Sequence, residues 1–173
     1  MPLCATLISR LVLQGEGDTV VATADSAAEP GQLTITDIQG DGGRLSREPA
    51  DNCIGIAARE TLKLLPQPPA CGVKLRLTKG LPLGSGMGSS AASAAAACWA
   101  VNCLFGAPLT PGALVAAGLQ SEAAVSGFHA DNIAPALLGG FVLVRCATAR
   151  VLPGWSRVCL RQLQAALPMH DCM

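Results

Sequence analysis

The stretch KGLPLGSGMGSSAASAAAACWAVN, residues 79–102, sets four glycines and three serines ahead of a run of alanines. Two readings of it are open. Such a run can be a flexible linker, or a small-residue helix packed closely on a neighbour. It can also be a phosphate cradle, because backbone N–H groups converge where glycines remove the side chains and a helix N-terminus points free donors at an anion. Position favours the cradle. Upstream, GVKLRLTKG (72–80) alternates Val73, Leu75 and Leu77 with Lys74, Arg76 and Thr78, the pattern of a half-buried strand. Downstream, Ser89 and Ser90 open a predicted helix over residues 89–104, and Pro82 fixes the approach to the loop. The motif is not a P-loop, since no Lys-Ser/Thr pair closes it. It is not the dinucleotide fingerprint either, since the third glycine position after Gly84 and Gly86 holds Ser89.

Working outward, DTVVATAD (18–25) and GQLTITDI (31–38) are rich in Val, Ile and Thr and read as the two strands of a β-hairpin. GDGGRLS (40–46) is a glycine-dense turn. Asp51 can then cap a helix whose apolar residues Ile54, Ala57, Ala58, Leu62 and Leu65 keep the 3.6-residue period, and LPQPP (65–69) ends it. Thr110 and Pro111 open a further helix through about Glu122, and GGFVLVR (139–145) is a compact apolar strand. Beyond Arg145 the periodicity fades, apart from a short stretch over Leu160–Leu167 that reads as helical. The order of elements predicts an α+β domain, a mixed sheet with helices on one side.

Composition bounds the rest. A chain of 173 residues is about one domain's worth and long enough to bury a core. Lys+Arg and Asp+Glu are both 12, so no basic field is available for nucleic acid or an anionic membrane surface. The eight cysteines form no CxxC pair and there are two histidines, which argues against a zinc site at ligand spacing and for reduced thiols. The N-terminal MPLCATLISRLVLQGEGD has no charged n-region and fits a signal or transit peptide poorly. The long weakly charged run over residues 80–121 carries too much Gly, Pro, Ser and Asn for a membrane span, and a soluble chain is expected.

PLGSGMGSSAASAAAA (82–97) resembles the second motif of the GHMP kinases, whose pattern is P-x-x-x-G-[LM]-G-S-S-A. Within that group, SEAAVSGFHADNIAPALLGGFVLVR (121–145), together with GDTV (17–20) and GDGGRLS, is similar to the plant-type homoserine kinases. The likeness runs from about Gly17 to Arg145. It implies a ribosomal protein S5 domain 2-like fold and phosphorylation of the L-homoserine hydroxyl by ATP, a step of threonine biosynthesis. It further implies that the segment from Pro82 through Gly84, Ser85, Gly86, Met87, Gly88, Ser89 and Ser90 binds the ATP phosphates, with Ser90 and Glu122 as Mg²⁺ ligands. His129, Asp131 and Asn132 would line the homoserine side, Asn132 orienting the attacking hydroxyl, and Asn52 would contact adenine. Homoserine and ATP are then the partners, with neither nucleic acid nor membrane, and a homodimer is compatible with the likeness.

The chemistry of these residues is consistent with those roles. Mg²⁺ takes oxygen ligands and commonly one or two protein groups, so one Ser and one Glu suffice. Taken singly, each residue has a plainer explanation: Glu122 a solvated helix-end carboxylate, His129 a surface histidine, Asp131 and Asn132 the cap of a short turn before Pro135. Trp99, Phe141 and Trp155 read as packing. The family also has an Asn/Gly-rich opening segment and a C-terminal domain. The expectation is therefore an incomplete kinase, with an ATP-binding unit over 1–145 and a divergent tail over 146–173. A nucleotide-binding remnant without turnover, or another GHMP small-molecule kinase, are the alternatives. The likeness implies a plastid if the source is a plant or alga, and the cytoplasm otherwise.

Overall fold

The computed structural model describes residues 6–10, 17–125, 127, 130–139, 141–145 and 159–163. Strands β1 (Thr6–Arg10), β2 (Thr19–Asp25), β3 (Leu33–Gln39) and β4 (Gly72–Thr78) form one sheet in the order β1-β2-β4-β3. The β1–β2 and β2–β4 pairs are antiparallel and β3–β4 is parallel, so the sheet is mixed. Helices α1 (Cys53–Leu64) and α2 (Ser89–Leu104) bury one face of it, and α3 (Pro111–Val125) and α4 (Ala130–Leu138) pack against those helices in turn. Period-2 patterning explains which face. Val73, Leu75 and Leu77 of β4 and Val20 and Ala22 of β2 are buried under the helices, while Lys74 and Arg76 stand exposed on the other side. The α+β architecture expected from the sequence is the one observed.

The expected hairpin is not. β2 and β3 are not partners, because β4 lies between them and pairs with both. The connection over residues 26–32 is long enough to step across one strand position, about 10 Å, which a two-residue turn cannot do. The most regularly apolar strand, β4, thereby takes the centre, where both its edges are hydrogen-bonded. A register shift between Ile35 and Asp37 in β3 lets Ile35 and Ile38 both face the core despite their odd spacing.

The first helix also begins differently. Residues Pro49–Asp51 form a 3-10 turn, and Asn52 rather than Asp51 caps α1, its side chain accepting from the Ile54 N–H at 3.1 Å. Pro49 supplies the reason, since it starts the 3-10 turn and moves the α-helical start one residue on. α2 spans the predicted residues 89–104. Its alanines are nearly all buried, so it lies close to α1, α3 and the sheet. Thr110 accepts from the Ala113 N–H at 3.3 Å, and α3 runs three residues beyond the predicted end. Trp99, expected in the packing, is only partly covered, 38% exposed on α2. The stretch read as helical over Leu160–Leu167 overlaps strand β6 (Cys159–Leu163), antiparallel to β5 (Phe141–Arg145). An apolar strand needs a partner for its backbone groups, and pairing here overrides a weak helical pattern. Residues 164–167, Trp155 and the Phe141 side chain lie outside the described residues. Among the described residues no helix is long and apolar enough to cross a membrane.

Candidate active site

The loop between β4 and α2 is built by its glycines. Gly84, Gly86 and Gly88 all have φ near +70°, a region L side chains rarely adopt. A Cβ added at Gly84 or Gly86 would meet nothing within 4 Å, so the backbone there is open to a ligand. Ser85 holds the turn, donating to the Pro82 carbonyl at 2.9 Å and accepting from the Met87 N–H at 3.4 Å. Gly88 is the N-cap of the 16-residue α2 and provides no side chain to accept from the first-turn N–H groups. A helix start with no side-chain cap, next to glycine backbone, leaves free N–H donors of the kind that suit an anion.

A cavity of about 330 Å³ lies at this loop. Gly84, Ser85, Gly86, Gly88, Ser89 and Ser90 line it from one side; Leu45, Asp51, Asn52 and Cys53 line it from the start of α1, and Val125 from the end of α3. Pro82 and Met87 do not line it, and Met87 is 54% exposed. The two serines at the helix start divide their work. Ser89 is buried with its hydroxyl donating to the Leu81 carbonyl at 3.2 Å, whereas Ser90 is half-buried at the cavity wall. Asn52 is buried at the opposite wall. Its amide nitrogen donates to the Ser46 carbonyl at 2.6 Å and its oxygen caps α1, which leaves one N–H for anything in the cavity.

Glu122 is not the solvated carboxylate its position near a helix end suggests. It is 1% exposed, within the protein. The neighbouring Ser121 donates to the Cys53 carbonyl at 2.8 Å and so ties α3 to the start of α1. The Cys53 thiol is pushed up to about 11, first by burial; the charges of Glu122 and Asp18 add to the rise and that of Lys79 opposes it. Cys53 is therefore a protonated, unreactive part of the wall near neutral pH.

Asn132 and Asp131 are exposed in the first turn of α4. A Cβ at Gly88 would lie 3.3 Å from Asn132 Oδ1, so the loop and Asn132 are in close approach. Gly118 of α3 makes this possible. A Cβ there would come within 2.7 Å of the buried Ile133, so only glycine lets α4 settle this deeply and carry the adjacent Asn132 to the loop. His129 lies outside the described residues. Among the described residues no three His, Cys, Asp or Glu side chains gather as a metal site.

Three residues at this site were missed by the sequence reading: Asp18, Lys79 and Ser93. Asp18 is fully buried and ion-paired with Lys79, whose ammonium also donates to the Ser93 hydroxyl at 2.9 Å and the Ser89 carbonyl at 3.0 Å. The available signal was a lysine ending an apolar strand next to a glycine loop, since a charge at that point must be exposed or paired.

Residues 52–140, just over half of the chain, match the family model described as the GHMP kinases N terminal domain. The chain is 55% identical over 133 residues to a homoserine kinase of Arabidopsis thaliana, covering 77% of this chain and 36% of that protein. It is 41% identical over 151 residues to a homoserine kinase of Chlorobium phaeovibrioides, covering 84% and 47%. The crystal structure of homoserine kinase from Cytophaga hutchinsonii superposes with a TM-score of 0.68 at 35% identity, covering 82% of this chain and 48% of that one. The chain thus spans a third to a half of the length of these relatives.

Proposed function

We propose that this chain, which belongs to the GHMP kinases, holds the phosphates of ATP on the 84–90 loop and presents them to the hydroxyl of L-homoserine. The observation that carries this reading is the approach of Asn132 to Gly88. A residue suited to orienting a hydroxyl stands directly on the loop suited to holding phosphate. The identity of 55% to a relative named homoserine kinase supports the choice of acceptor.

Phosphoryl transfer asks the protein mainly for positioning and charge neutralisation. The N–H groups of the glycine loop and of the start of α2 would hold the phosphate oxygens. Asn132, at the same place, would hold the acceptor hydroxyl in line, its amide accepting the O–H without taking the proton. Asp131 and His129 would complete the acceptor side. Asn52 would offer its remaining N–H to the base. Ser90 at the cavity wall and Glu122, buried and not among the cavity-lining residues, both offer oxygen, the donor type that fits Mg²⁺, and would hold it. When bound, Mg²⁺ neutralises phosphate charge. The division into a nucleotide-binding unit over 1–145 and a tail over 146–173 belongs to the same reading. So do a plastid in a plant or alga, the cytoplasm elsewhere, and compatibility with a homodimer.

The test is coupled ADP release by the 173-residue chain with Mg²⁺ and ATP, comparing L-homoserine, mevalonate and galactose. The expected result is turnover with homoserine that falls by about 100-fold or more in Glu122→Ala and about 10-fold or more in Asn132→Ala. An Asn132→Asp variant that gained rate would show that a base, not an orienting amide, is wanted there. A second reading, nucleotide binding without turnover, rests on the loop and helix start alone, whose N–H groups would hold phosphate whether or not it is transferred. Tight MgATP binding with no ADP release from any acceptor would decide for it.

A further inference from the structure

We propose that Asp18 is a positioning residue that fixes both limbs of the glycine loop through one buried carboxylate. The inference rests on the nucleotide-binding reading of that loop. Asp18 Oδ1 accepts from the N–H groups of Gly80 and Leu81, each at 3.0 Å, where the loop leaves β4. Oδ2 accepts from the Lys79 ammonium and from the Ser93 hydroxyl, which stands one turn into α2 where the loop ends. Lys79 closes the circuit by donating to Ser93 and to the carbonyl of Ser89, the first residue of α2. Residues 80–81 and 89–93 are therefore held at a set separation by a side chain that comes from the start of β2, more than sixty residues earlier.

The network is saturated. Each oxygen of Asp18 takes two donors, and the three ammonium protons of Lys79 have three acceptors within the protein. Nothing in it is left over for a ligand, although Lys79 lines the cavity. Its effect on a bound phosphate would pass through the loop. Between the two anchored limbs, residues 84–87 are exposed and are stitched by the Ser85 hydroxyl. A loop of three left-handed glycines has much conformational entropy to lose, and fixing its ends in advance removes part of that cost from binding. A fully desolvated ion pair adds little net stability to a fold, but it discriminates strongly between one arrangement and another, as a positioning role requires.

Hydrogen exchange of the 173-residue chain without nucleotide, followed by MgATP titration, tests this for Asp18→Asn and Ser93→Ala. The expected result is exchange in residues 80–93 faster by about tenfold or more in Asp18→Asn and by a few-fold in Ser93→Ala, with the protection of β4 kept. MgATP affinity should fall in the same order. Faster exchange spread evenly over the loop, β2 and β4 would overturn the proposal, because it would show a part of the core rather than an anchor. Unchanged loop exchange overturns it too. Should Asp18→Asn alone fail to fold, the neutral double variant Asp18→Asn/Lys79→Met replaces it, since it leaves no unpaired buried charge. A loose loop in the folded double variant supports the anchor, and wild-type loop protection overturns it. A wild-type chain with a protected loop that does not bind MgATP refutes the nucleotide reading, while the exchange data still decide the anchor.

Discussion

Two glycine turns in this molecule solve the same backbone problem and differ in what they leave for others. Residues 40–43 and residues 84–88 each carry three glycines at positive φ, and each leads into a helical segment bordering the same cavity. In the first turn an acidic side chain is part of the sequence. Asp41 turns back so that its carboxylate accepts from the Leu45 N–H at 3.0 Å, and the Arg44 side chain donates to its carbonyl at 3.1 Å. Leu45 is thereby placed at the cavity wall. The second turn has serine and methionine between its glycines and no carboxylate, and its helix starts at a glycine with no side-chain cap. One turn supplies its own anion and is structural. The other leaves the same kind of donors without an anion from its own turn, and this is what suits it to the proposed binding of phosphate.

The largest effect that would break or sharpen this contrast comes from adding one methyl group to each turn. Gly88→Ala and Gly42→Ala impose the same left-handed strain, about 1–2 kcal/mol each. A Cβ at position 88 must also push against Asn132 Oδ1 at 3.3 Å, whereas one at position 42 meets nothing within 4 Å. Both variants should therefore melt at lower temperature, but only Gly88→Ala should lose about tenfold or more in MgATP affinity and in homoserine-dependent kcat. Equal losses of affinity in the two would show that the turns are not functionally distinct.

That contrast was partly legible before the structure. The alternation of Val73, Leu75 and Leu77 and the alanine run after Ser90 placed the loop between a strand and a helix, because both are local periodic signals. The partnership of Asp18 with Lys79 was not, since it joins residues 61 positions apart and depends on strand order. The same non-locality explains the hairpin that does not form: periodicity identifies β2, β3 and β4, but nothing local says that β4 goes between the other two. Glu122 lay in a helix with little amphipathic contrast, so its burial had no one-dimensional signature. Its proposed role came only through the likeness to a family. The approach of Asn132 to the loop needed Gly118, whose role is to be small where two helices meet.

The next effect is on pH dependence. The N–H groups of Leu45 and Gly43 hold the Asp41 carboxyl below its usual value of about 3.8. A carboxylate depressed in the folded state contributes stability that is complete above the unfolded value and is lost as the pH falls through the folded one. Asp41→Asn should thus lower the melting temperature near neutrality and flatten the acid limb of the stability profile below about pH 4. Thermal melts between pH 2 and 7 measure this directly. An Asn variant with an unchanged acid limb would show that the first turn is not held by its own anion, and the comparison would lose its structural half.

The smallest effect is the most informative about how the second turn works. Met87 is part of the motif through which the loop was recognised, yet it is 54% exposed and does not line the cavity. If the loop acts through backbone N–H groups, the side chain at position 87 matters little so long as its conformation is kept. Met87→Ala should change the KM for ATP by less than about twofold and stability by less than about 0.5 kcal/mol. Steady-state kinetics at saturating homoserine would check the first value and a thermal melt the second. A loss comparable to that of Gly88→Ala would place a side-chain contact in a site otherwise made of backbone. Asp41 in the first turn would then no longer show by analogy what the second turn binds, because one turn would be read by its main chain and the other by a methionine.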